Sequence, residues 1–186
     1  MNPEALFEPR VVSALIGGVI VALGWFVSAR REAYAARRAR ASRERDMRTA
    51  LAAEIGAHVE ALRLFDLDRQ WREIVGRMEE DPAYAPTVPT ERNNVVFLAL
   101  LDEVQVLPEP AIGPVVRYHA QLFAVEAIIG DMRSSQFRRA MGQPERIAMF
   151  TDYIALKQEA LARGEAALAA LRDKGRRPWW PWGGRG

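Results

Sequence analysis

A chain of 186 residues with 49% hydrophobic content can bury a real core, which excludes wholesale disorder. It contains no cysteine, so disulfides, thiolate metal sites and cysteine nucleophiles are excluded too. The formal net charge is only +2, so any strongly basic surface must come from a local concentration of arginine.

Residues 1–10 form a short N-terminal stretch with one arginine and two glutamates. Residues 11–29, VVSALIGGVIVALGWFVSA, hold no charge, and ten of the nineteen are Val, Ile, Leu or Phe. A helix of that length covers about 28 Å, close to a hydrocarbon core of about 30 Å. The run is therefore predicted as a transmembrane helix, with Trp25 and Phe26 near one interface. A buried core helix is the plain alternative, disfavoured because the run is apolar on every face. Val27-Ser28-Ala29 would suit signal cleavage, but the preceding acids, the length of the run and the arginines after it oppose export. Ala14, Gly18 and Ala22 recur every four residues, a small-residue stripe suited to close helix packing with a second copy or another membrane protein.

Residues 30–46 form an arginine-rich juxtamembrane stalk. Eight arginines between positions 30 and 48, set against Glu32, Glu44 and Asp46, give a net of +5. Charge asymmetry then places the N-terminus outside and the rest in the cytoplasm, as a single-pass membrane protein. Arg30, Arg31, Arg37 and Arg38 are the expected contacts to anionic lipid headgroups. A basic run could instead bind nucleic acid, but the juxtamembrane position already accounts for it, and no nucleic acid is expected.

Residues 47–174 are predicted as a helical domain. Met47, Leu51, Ile55, His58, Leu62 and Phe65 make an apolar stripe at helical spacing, and Trp71, Ile74, Val75 and Met78 continue it. Three prolines at 81–89 make a loop, followed by a short, very apolar helix, NVVFLALLDEVQVL. Prolines and a glycine at 107–114 turn the chain again. A third helix is expected from about 112 to 139, with Val115, Val116, Leu122, Phe123, Val125, Ile128, Ile129 and Met132 as core candidates. Gly142-Gln143-Pro144 breaks it, and a fourth helix runs from Pro144 to about Lys174. No strand-like alternation occurs. The predicted fold is all-α: a transmembrane helix continuing into a stalk helix and an antiparallel four-helix cytoplasmic bundle.

The search for chemistry yields no catalytic, cofactor or metal site. Di-iron bundles need Glu-x-x-His pairs, whereas Glu54 and His58 stand four apart. His58 falls on the apolar stripe and reads as a core histidine; His119 reads as a lone structural or surface residue. Asp66 with Asp68, and Asp102 with Glu103, are spaced so that they do not face each other on a helix. The chain is expected not to be an enzyme.

Two pieces, TALAAEIGAHVEALR at 49–63 and VLPEPAIGPVVRYHAQL at 106–122, together with the apolar N-terminal run and the arginines after it, resemble a diffuse group of uncharacterised bacterial single-pass membrane proteins. The resemblance implies a bacterial, membrane-anchored helical protein, so that the expected span lies in the bacterial inner membrane, and no role for any residue. The chain closes with a Trp/Pro-rich tail, 175–186, whose Trp179, Trp180 and Trp182 suit a membrane interface or a partner's embedded part. The expected function is a membrane-anchored, non-catalytic scaffold or accessory subunit, with membrane lipid and a second membrane protein or a second copy as partners. A phage-derived or membrane-active lysis factor is one alternative, and an enzyme with a dispersed site is another.

Overall fold

The computed structural model describes the backbone of residues 9–173 and the side chains of residues 24–173. The described chain is helical, and no strand occurs among the described residues. Its helices are α1 (Pro9–Leu64), α2 (Leu67–Glu80), α3 (Val95–Ala99), α4 (Glu109–Arg133), α5 (Ser135–Arg139) and α6 (Gln143–Arg172), with a 3-10 helix at Leu101–Val106. The chain divides after Arg45 into two compact units.

In the first unit the side chains from Gly24 to Arg43 are exposed. Alanine and arginine are excellent helix formers, but they supply no apolar stripe, so this stretch is a helix without a core of its own. Arg30 lies over the Phe26 ring, 5.7 Å from its centroid, at the i,i+4 spacing that brings helical neighbours together.

Among the described residues no helix is long and apolar enough to cross a membrane. This corrects the expected single-pass inner-membrane placement. The described side chains take in only the last six residues of the apolar run, 24–29, and beyond them the helix is rich in arginine. The rest of that run, with Ala14, Gly18 and Ala22, lies outside the described side chains, and the tail with Trp179, Trp180 and Trp182 lies outside the described residues.

In the second unit α4 and α6 make the most extensive pairing, and α2 packs on α6. Gln121 donates to the Leu156 carbonyl at 3.0 Å and Arg163 reaches the Arg117 carbonyl at 3.5 Å, so α4 and α6 run antiparallel. Two apolar clusters lie along this pair. One joins Met47, Leu51, Ile55, Val59 and Leu62 of α1 to Phe97, Leu107, Val115, Tyr118, Leu122, Leu168 and Leu171. The other joins Leu67, Val75 and Met78 of α2 to Val88, Val125, Ile129, Met132, Phe137, Phe150 and Ile154.

Several expected elements are shifted. The stripe of α1 runs through Val59 rather than His58, and it stops before Phe65, which is exposed. The helix breaks at 65–66, where Asp66 caps α2 by accepting the Arg69 N–H at 2.9 Å. The expected third helix ends at Arg133, because Ser134 turns extended and its hydroxyl caps α5 by accepting the Phe137 N–H. Val116 and Phe123 are exposed, not core. The apolar helix expected after the first proline loop is instead one turn of α-helix followed by the 3-10 helix. Glu145 starts α6 by accepting the Gly142 N–H at 3.0 Å.

Candidate functional site

Residues 94–107, comprising α3, the 3-10 helix and their flanks, form a strap held from beneath by polar groups. Helix α1 presents Glu54, whose carboxylate accepts the backbone N–H of Val96 at 2.6 Å and of Phe97 at 3.1 Å. Those are orphan donors of the first turn of α3, so an α1 side chain does the capping that Asn94 does not. From α4, the fully buried His119 ring stacks on Phe97 with centroids 3.8 Å apart and an interplanar angle of 6°. Its Nδ1 lies 3.3 Å from Asn94 Oδ1. The strap is thus tied to α1 through its backbone and to α4 through Phe97 and Asn94.

A second set of polar groups adjoins the first through Tyr118, next to His119 on α4. The Tyr118 hydroxyl is 2.6 Å from His58 Nδ1. Burial, reinforced by Glu54, pushes the Tyr118 phenol up, so it keeps its proton and donates to His58. Lys157 of α6 donates to Glu91 at 2.6 Å and sits 5.1 Å from the Tyr153 ring centroid. Burial alone would push Lys157 down, but its bonds and charge contacts with Glu91 and Tyr153 outweigh this, and the net shift is upward. Burial likewise lowers His58, with Glu91 opposing and Lys157 assisting. Burial and then His58 push His119 down to about 4. Both histidines are therefore neutral at pH 7.

Two imidazole nitrogens, His58 Nε2 and His119 Nε2, are buried without a hydrogen-bond partner. Each faces a carboxylate: His58 Nε2 is 4.0 Å from Glu91 and His119 Nε2 is 4.0 Å from Glu54. That separation exceeds hydrogen-bond length, so the groups interact by field alone. Among the described residues no group of three or more His, Asp or Glu could hold a metal ion.

No family model, curated protein or solved structure matches this chain.

Of the candidate site residues marked in the sequence, only the four arginines of the stalk lie within the described side chains. Arg30, Arg31, Arg37 and Arg38 are exposed along α1. The polar cluster was missed because Glu54, Glu91, Asn94 and Lys157 look like ordinary surface residues in a linear reading. One signal was present: Lys157 continues the α6 spacing of Phe150, Tyr153 and Ile154 to Ala160, so a cation stood on an apolar stripe and required a buried partner.

Proposed function

We propose that this chain is a non-catalytic interaction module, a bundle of antiparallel helices that presents the strap to a partner protein. One observation carries the proposal. While Phe97 points inward, Val95, Leu98 and Leu101 are exposed at 64%, 53% and 46%. Their spacing of three lines them along one side of a short segment whose underside is fully engaged. Apolar side chains set in a row on an anchored segment favour docking over accidental exposure, because ordering the segment has already been offset by the contacts beneath it. The hydrogen bonds from Val96 and Phe97 to Glu54, with the stacking of Phe97 on His119, support anchoring of the strap.

Binding partners captured by the full chain should be compared with those of Leu98→Asp/Leu101→Asp. The double variant is expected to retain helicity and melting temperature and to lose a stoichiometric partner that the parent chain retains. Equal recovery of that partner by both proteins would remove the strap from the interface.

A further inference from the structure

We propose that the underside of the strap is a pH-sensitive latch: protonation of the buried histidines beneath it releases residues 94–107 from α1 and α4 while the α4–α6 pairing stays closed.

The geometry starts with His119. For Nδ1 to bond the Asn94 side-chain oxygen, it must carry the proton. The neutral ring then turns a bare Nε2 lone pair toward the Glu54 carboxylate 4.0 Å away. Glu54 is committed to the Val96 and Phe97 amides and cannot move toward the ring without giving them up. A second proton on His119 makes Nε2 a donor facing that carboxylate. The new attraction competes for the oxygens that cap α3, and the charge is placed flat against Phe97 in a site closed to water.

The groups around it come from every element packed there. Helix α1 contributes Glu54 and His58, and α4 contributes Tyr118 with its hydroxyl on His58. The chain before α3 contributes Glu91, and α6 contributes Lys157 and Tyr153. Glu126 of α4 lies with Glu91 and Asn94 around a small cavity beside the strap. Charging His58 sets it against Lys157, which already holds Glu91, and against His119, so the two imidazoles resist being charged together. Relief comes from letting water in, and the short strap is the element that can leave: one α-helical turn and a 3-10 helix, against the 25 residues of α4 and 30 of α6.

His119 titrates at about 4 when closed and near 6.5 when free. An opening that frees it is favoured by on the order of tenfold when pH drops from 7 to 5. The latch is independent of the interaction reading above; only the further consequence, that acid would also displace a docked protein, rests on that reading.

Amide hydrogen exchange of the full chain, without a partner, tests it. Protection factors, corrected for intrinsic exchange, are compared at pH 7 and pH 5. The Val96 and Phe97 amides are expected to lose about tenfold or more in protection, ending about tenfold or more below the Ile154 amide in α6. In His119→Gln the loss between the two pH values should shrink to a few-fold. Unchanged protection at Val96 and Phe97 would overturn the latch. So would protection equal to that of Ile154 at pH 5, which would mean that the strap opens only when everything does. If His119→Gln does not fold, the parent chain alone still decides between these outcomes.

Discussion

At Gly164, a Cβ would lie 2.5 Å from Val59 Cγ2 and 3.0 Å from Tyr118 Cε2. Both neighbours are buried, so neither can swing into solvent. Alanine is ordinarily the better helix residue by about 1 kcal/mol, but here overpacking wins. Gly164→Ala should destabilise the fold by about 1–3 kcal/mol in a denaturant titration. Gly130 of α4 is the control: nothing lies within 4 Å of its added Cβ and the residue is exposed. Gly130→Ala should therefore stabilise, by about 0.5–1 kcal/mol. A loss at Gly130 of the size seen at Gly164 would show that close approach is not what distinguishes the two sites. Helical spacing from Ala160 to Leu168 puts Gly164 on the buried stripe of α6 and leaves Gly130 off that of α4, but how closely Val59 and Tyr118 approach Gly164 is not written in the spacing.

Among the elements, α1 and the strap show two ways in which a helix is specified. The inner part of α1 is written in its stripe, and Leu51, 1% exposed, lies at its centre. Leu51→Ala should cost about 2–5 kcal/mol, read as a fall in the denaturation midpoint at unchanged slope. The end of α1 is a matter of capping. Asp66→Ala should cost about 0.5–2 kcal/mol, because the Arg69 N–H loses its acceptor. The strap obeys neither rule. Its run of Val95 to Leu101 is apolar at every position, so periodicity assigns no inner face. Which side is buried is decided by Glu54, 42 residues away from Val96, and by the ring of His119.

For the whole molecule, the buried histidines set the direction of the pH response. Burial holds both below the 6.5 of a free imidazole, His119 at about 4. Below pH 6.5 the unfolded chain binds protons that the folded one refuses. The stability they contribute is complete above about 6.5 and is lost as pH falls toward 4. Calorimetry should find a lower melting temperature at pH 5 than at pH 7, and a smaller difference in His119→Gln. A melting temperature that does not fall on acidification would contradict the burial of these two rings.

The sequence by itself determined that the described chain is helical, that the prolines at 82–89 interrupt it, and that Met47, Leu51, Ile55 and Leu62 face a core; the prolines at 108–114 do not break the chain as expected, since α4 starts at Glu109 and carries Pro114 inside it. The properties read correctly are local: propensity, the lack of an N–H in proline, and a 3.6-residue period read over neighbouring positions. The same local reading extended the stripe to Phe65 and took Val116 and Phe123 into the core, and both were corrected because exposure depends on what lies opposite. It also placed the chain in a membrane, whereas no described helix is long and apolar enough to cross one. Only the tertiary structure decided the polar cluster. Glu54 with Val96, Lys157 with Glu91 and His58 with Tyr118 are separated by 42, 66 and 60 residues. Polar partners this far apart along the chain share no spacing that could pair them in a linear reading. Each gains a role only when folding excludes water and leaves the partner across the core as the remaining place for its hydrogen bonds.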